Sequence, residues 1–323
     1  MSNIAIYPGN TDGFSEDVGH DKVWHYEQKL KHFDQYKLIE ALTKEPFKKF
    51  DKAFLLTKSK RVSKVEHRAT HKNMEFWVFP DFKGLESFLN ENVSCLVKHR
   101  NQETYCDSFK GRKIFYHAEN GRDPAKGRWD IILCDHRAKI KDPIKHKFYI
   151  KPVDPAVWKP GKEKYFDFVM VTRFKKEHSA LEEILKSKKQ LKIAIIGTFS
   201  PSKKALKNIN RHEVKCFGWV HDPAEIAGII GQSRLALPSV FSSDGFPNTI
   251  LQCLMCNVPL VYKTNYFSGF CNLEEYYIND NTTYFVRDWL EGVTLLEKDP
   301  IMPRDYAFKK FSIEKAAESL GAI

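Results

Sequence analysis

Long apolar runs are missing from this sequence of 323 residues. No stretch approaches the ~18 to 20 apolar residues a helix needs to cross a bilayer, and Met1 to Gly9 is too short and polar for a secretory leader. The expectation is a soluble, cytoplasmic protein with no transmembrane segment, compatible at most with peripheral membrane contact. Cysteine is sparse: seven residues, an odd number, lie scattered at 95, 106, 134, 216, 253, 256 and 271, which argues against a disulfide framework. Cys253 and Cys256 stand close together, but no further ligands follow at zinc spacing, so buried thiols and no metal are expected. The G-x-S-x-G elbow, the P-loop and H-E-x-x-H are absent too, which removes the hydrolase, NTPase and zinc-protease mechanisms built on them. The aromatics (24 Phe, 13 Tyr, 6 Trp) form no RNP-like run and read mainly as core residues.

What is present is a globular composition, 42% hydrophobic and 29% charged, long enough for two domains with separate cores. The net charge of +11 is uneven: residues 1–152 carry 29 basic and 21 acidic side chains, the remainder 23 and 20. Nine of the twelve histidines also fall in the first part. A basic surface of this kind attracts phosphate, acidic sugar or nucleic acid alike.

Short apolar runs alternate with helical-period segments along the whole chain, the pattern of parallel sheets covered by helices. In the first half the spacing predicts six strands, 3–7, 53–56, 76–79, 94–97, 113–116 and 131–134, with helices over 23–42 and 85–91. Residues 10–22 and 58–73 read as polar, His-rich, mobile loops. After a short strand at 146–150, the segment KPVDPAVWKPGKEKY (151–165) has the prolines and charges of an inter-domain connection. A second set follows: strands 168–171, 192–196, 214–217, 235–237 and 260–262, with helices 177–187, 223–231 and 247–256. Ser312 is placed to cap a last helix through Leu320. The expected domains are 1–152 and 153–303, followed by a helical segment 304–323.

Ligands of doubly wound sheets bind beyond the carboxyl ends of the strands. The most informative stretch there is SSDGFPNTILQCLMCNVPLVY (242–262). Asp244, Gly245, Phe246, Pro247 and Asn248 lead into a helix whose first-turn proline loses no hydrogen bond, and Asn257 suits a left-handed C-cap. The free N–H groups at such a helix start suit phosphate or a sugar hydroxyl, and Gln252, just over two turns on from Asp244, points to the side of that loop.

This stretch resembles the E-G-F-P-N-x-x-x-E segment of the retaining nucleotide-sugar glycosyltransferases of family 4. KPVDPAVWKPG (151–161), VMVTRFKKEH (169–178) and FGWVHDPAEIAGIIGQSRLALPS (217–239) are similar, in order, to three further stretches of that family. The resemblance implies an α/β GT-B fold: two Rossmann-like doubly wound domains facing a cleft, with the C-terminal helix packing back toward the first. It implies no cofactor, a nucleotide diphosphate sugar (UDP- or GDP-sugar) as co-substrate, and a glycan or other hydroxyl acceptor.

Carried over by position, Arg173 with Lys175 or Lys176 would neutralise the donor diphosphate in place of a metal. Thr172 and Gly197 would line the donor, Trp219 and Val220 would border the base, and Gln252 would bind ribose. Asp244 and the amides of Gly245, Phe246, Pro247, Asn248 and Thr249 would surround the transferred sugar; Pro247 contributes position, having no N–H. Gly9 and Gly13 would approach the donor phosphate, and His99 would touch the transferred sugar. Asn10, Arg100, His117 and Asp135 would line the acceptor side. The chain departs from the motif in having Asp244 and Gln252 where the family has two glutamates. A second reading makes DNA the acceptor, on the basic first domain; a third is a sugar-nucleotide binder without catalysis.

Overall fold

The computed structural model of the chain describes residues 2–7, 34–99, 108–117, 129–134, 144, 146–148, 151–172, 179–199, 202–237, 248–263 and 279–321. The chain divides into two compact units, Met1–Pro152 with Ile313–Ile323, and Val153–Ser312.

The first unit is built on an eight-stranded sheet. Its strands are β1 (Asn3–Tyr7), β2 (Lys52–Lys58), β3 (Glu66–His71), β4 (Met74–Phe79), β5 (Cys95–His99), β6 (Arg112–His117), β7 (Ile131–Cys134) and β8 (His146–Phe148). They lie in the order β3-β4-β2-β1-β5-β6-β7-β8. Every pairing is parallel except β3 with β4. The central strands are apolar on both faces, as a sheet covered on two sides requires. One face packs against α1 (Asp34–Ala41) and the last helix, α9 (Ile313–Gly321), whose Ala316 and Ala317 join Tyr36, Leu38, Ile39 and Leu55 in one core. The other face meets α2 (Phe82–Asn92), where Asp81 accepts from the Gly84 N–H at 2.8 Å and Leu85 and Leu89 are buried.

This sheet corrects two expectations. It adds β3 to the six strands and the short strand at 146–150 that the spacing predicts, and residues 58–73 contain β3 and its turn into β4 rather than a loop alone. Of the helix expected at 23–42, only α1 falls within the described residues, and residues 10–22 lie outside them.

The second unit carries a six-stranded parallel sheet of β9 (Phe166–Val171), β10 (Lys192–Ile196), β11 (Glu213–Gly218), β12 (Ser233–Leu237), β13 (Leu260–Lys263) and β14 (Thr283–Val286). The order is β11-β10-β9-β12-β13-β14, so the direction of winding reverses between β9 and β12. Its described helices are α3 (Ser179–Ile184), α4 (Lys203–Ile209), α5 (Pro223–Gly231), α6 (Asn248–Met255), α7 (Glu291–Lys298) and α8 (Pro303–Phe311). Local sequence sets their ends. Ser202 caps α4, Asp222 caps α5 ahead of Pro223, and Asn257 closes α6 at φ 58°. Asn257 and Val258 donate their N–H groups to the carbonyls of Leu254 and Cys253, so the last turn of α6 is satisfied.

The connection after Pro152 folds as part of the second unit. Val153 bridges to Ser312, and Asp154 accepts from the Ala156 N–H at 2.8 Å. Arg304 on α8 ties this turn down, its guanidinium donating to the carbonyls of Trp158 at 2.7 Å, Pro155 at 3.2 Å, and Met255 at the end of α6. Among the described residues no helix is long and apolar enough to cross a membrane.

Candidate functional site

The carboxyl edge of the second sheet is laced together at three neighbouring strand tips. Thr172, just past β9, donates its N–H to the Ile196 carbonyl at 2.8 Å, and Gly197, just past β10, donates to the Gly218 carbonyl at 2.7 Å. Only glycine fits at 197. Its φ is 104°, and a Cβ there would stand 1.9 Å from the Thr172 carbonyl oxygen. Thr172 is buried, while Trp219, next after Gly218, is 46% exposed and Val220 is half-buried.

Helix α6 completes this edge. It connects two parallel strands, β12 and β13, and so runs against them and starts at the carboxyl side. Asn248 opens the helix, followed by Thr249, both half-buried; Gln252 is half-buried one turn on. Its apolar face, Ile250, Leu251, Cys253, Leu254 and Met255, is buried and fixes the rotation of the polar face. Two buried oxygens at this edge have no hydrogen-bond partner among the described residues: Asn248 Oδ1 and Thr198 Oγ1. Orphaned acceptors are uncommon in a settled interior and suit a ligand hydroxyl or amide. Thr198 follows the tip glycine of β10, a position that marks a strand tip in the sequence without revealing an orphaned hydroxyl.

A further polar group lies at the end of β13. Glu183 on α3 accepts from Lys263 Nζ at 2.8 Å and Trp289 Nε1 at 2.7 Å. The hydrogen bond from Lys263 holds the Glu183 carboxyl below the usual carboxylate range, with Trp289 adding to it against partial burial. Sequence reasoning missed this cluster, because its members stand 80 and 106 positions apart.

The structure thus brings Thr172, Gly197, Trp219, Val220, Asn248, Thr249 and Gln252 to one sheet edge or the helix that rises from it. Arg173, Lys175, Lys176, Asp244, Gly245, Phe246 and Pro247 lie outside the described residues, on the two segments that join this edge to α3 and α6. In the first unit, His99 and His117 end β5 and β6 at the carboxyl edge; Gly9, Asn10, Gly13, Arg100 and Asp135 lie outside the described residues. Cys253 and Cys256 are buried free thiols; burial pushes Cys256 up to about 12 and Cys253 further in the same direction. No group of three His, Cys, Asp or Glu suited to a metal occurs among the described residues.

No family model and no curated protein matches this sequence. Solved structures do match. The chain is similar to AviGT4, a glycosyltransferase involved in avilamycin A biosynthesis, with a TM-score of 0.66 and 14% identity over 99% of this chain and 96% of that one. It is similar to a sucrose-phosphate synthase from Thermosynechococcus elongatus, with a TM-score of 0.63 and 12% identity over 100% and 98%. A third is Anabaena HepE in complex with UDP and glucose, with a TM-score of 0.62 and 10% identity over 100% and 99%. The two parallel-dominated α/β sheets bear out the expected GT-B fold.

Proposed function

We propose that the chain is a retaining, metal-independent glycosyltransferase that moves a hexose or pentose from a UDP- or GDP-sugar to a saccharide or other hydroxyl. One observation carries the reading. On a fold matched along the whole chain by HepE, whose structures hold UDP and UDP-glucose, the switch point of the second sheet meets the start of α6, where Asn248 keeps an orphaned buried oxygen. D-G-F-P-N leads straight into that helix.

In this reading Arg173, with Lys175 or Lys176, neutralises the diphosphate, the arginine fork meeting two phosphate oxygens at once. Trp219 and Val220 border the base, Gln252 accepts from ribose hydroxyls, and Asp244 with the Gly245, Phe246, Asn248 and Thr249 amides holds the sugar. Thr172 and Gly197 shape the floor, Gly9 and Gly13 approach the phosphate, and His99 meets the transferred sugar. Asn10, Arg100, His117 and Asp135 serve the acceptor side. The bond from the anomeric carbon to the phosphate oxygen breaks as the acceptor oxygen bonds to that carbon on the same face. The acceptor proton passes to the departing phosphate oxygen, whose growing charge the cations and the helix start stabilise. The test is nucleoside diphosphate release with a donor panel in excess chelator, with the product anomer read by NMR. Chelator-resistant release and a retained anomer are expected; an inverted product or a metal requirement contradicts the mechanism.

A further inference from the structure

The carboxyl edge of the second sheet holds a hydroxyl that has no place among the residues carried over from the family resemblance. Thr198 Oγ1 is buried and has no hydrogen-bond partner among the described residues. Its position is fixed on both sides. Gly197 before it is held by its N–H bond to the Gly218 carbonyl at 2.7 Å and by a backbone that no Cβ could share; Phe199 after it packs against the core of the second unit. The start of α4 is anchored too, since the Ser202 N–H donates to Glu182 Oε1 at 2.9 Å and Ser202 Oγ accepts from the Ala205 N–H at 3.2 Å.

Strand order says what this hydroxyl faces. β10 lies between β9 and β11, about 5 Å from each. β9 leads into Arg173, which takes the diphosphate in the proposed reading, and β11 leads into Trp219 and Val220, which border the base. What joins a base to its diphosphate is one ribose, so the ribose falls over β10. In the same reading Gln252 takes ribose from α6, which follows β12 on the other flank of β9. A ribose presents two neighbouring hydroxyls, one to each flank.

The chemistry of the side chain agrees. A threonine hydroxyl both donates and accepts, as a ribose hydroxyl does. Thr198 as a residue is only half-buried although its oxygen is covered. Rotation about χ1 between staggered wells exchanges methyl for hydroxyl, and it forfeits no side-chain hydrogen bond because none is made. The cost of leaving that oxygen unpaired is recovered when a ligand hydroxyl meets it.

We propose that Thr198 is a specificity-determining residue that bonds one of the two ribose hydroxyls of the donor, so that the second unit selects ribonucleoside diphosphates over their deoxy counterparts. The inference rests on the glycosyltransferase reading, in which this unit binds the donor.

The experiment is calorimetric titration of the full chain with UDP, 2′-deoxy-UDP and 3′-deoxy-UDP, and with the corresponding GDP set, in the parent, Thr198→Val and Thr198→Ser. The parent binds the ribonucleotide about tenfold more tightly than either deoxy analogue, the upper range for one net hydrogen bond. In Thr198→Val the preference over one analogue falls to within about twofold, while the preference over the other, which belongs to Gln252, persists. Thr198→Ser keeps the hydroxyl and retains both preferences. The unliganded Tm of Thr198→Val stays at or above that of the parent, which separates lost contact from lost fold. Equal affinity of the parent for ribo and deoxy forms, or unchanged preferences in Thr198→Val, overturns the inference. An equal loss of affinity for ribo and deoxy forms in that variant overturns it as well, moving the contact to the phosphate or the base. If the parent binds neither UDP nor GDP, the donor reading falls and takes this inference with it; binding without a ribose preference sinks the inference alone and leaves the donor reading standing.

Discussion

The two sheets share one strand order around β1 and β9 and differ in how they end. The second sheet is parallel throughout, and at its carboxyl edge backbone meets backbone, with Gly197 pressed onto the Thr172 carbonyl. The first continues past the same parallel order into an antiparallel edge strand, Glu66–His71, whose side chains are polar apart from Ala69 and none of which is buried. A close-packed edge with a glycine and orphaned oxygens can hold a small polar ligand in one geometry. An edge strand with no buried residue offers no such fixed geometry.

That contrast can be broken most severely at Gly197. Gly197→Ala sets a Cβ against the Thr172 carbonyl in a backbone conformation alanine disfavours. We expect a loss of about 3 kcal/mol or more by urea unfolding; the opposite substitution class, Lys64→Ala on the exposed segment before β3, should stay within about 0.5 kcal/mol. Arg304→Ala comes next. It removes donors from the carbonyls of Pro155, Trp158 and Met255 at once, and about 2 to 3 kcal/mol should be lost.

Thr198→Val sharpens the comparison differently. It deletes a buried hydroxyl that has no partner among the described residues, so stability should hold or rise slightly while calorimetric donor affinity falls several-fold. Equal affinity would show that the orphan is not a ligand contact. The smallest effect concerns Glu183. Its folded pKa lies below its unfolded value, so its stabilisation is present above the unfolded pKa and is lost as pH falls through the folded one. Because its side chain is 39% exposed, the gap between wild type and Glu183→Gln should be about 0.5 kcal/mol at pH 7 and shrink as pH falls below the ordinary carboxylate range.

Much of the fold was legible because buried parallel strands read as continuous apolar runs; β1, β7 and β10 and helix α5 begin and end where the spacing places them. What escaped shares a physical cause. β3 lies at an edge with no buried face, so E-H-R-A-T-H shows no apolar alternation, and α4 is short and lysine-rich. Helix α7 is held by tertiary packing of Val293, Leu295 and Leu296 on the second unit's core, which no local pattern announces. In the candidate site, D-G-F-P-N was visible because a proline and a polar cap mark a helix start in any context. The Thr172–Gly197 approach and the Glu183–Lys263–Trp289 cluster exist only once distant strands are paired.

The central claim is that the second unit grips a nucleotide diphosphate sugar through Arg173 and the start of α6. A thermal-shift titration with UDP-, GDP-, ADP- and dTDP-sugars, run on the parent chain and on Arg173→Ala, tests it most directly. The account predicts that one donor at 100 times its Kd stabilises the parent by about 2.7 kcal/mol and leaves Arg173→Ala unmoved at an unchanged unliganded Tm. No stabilisation by any donor, or an equal shift in both proteins, would contradict it.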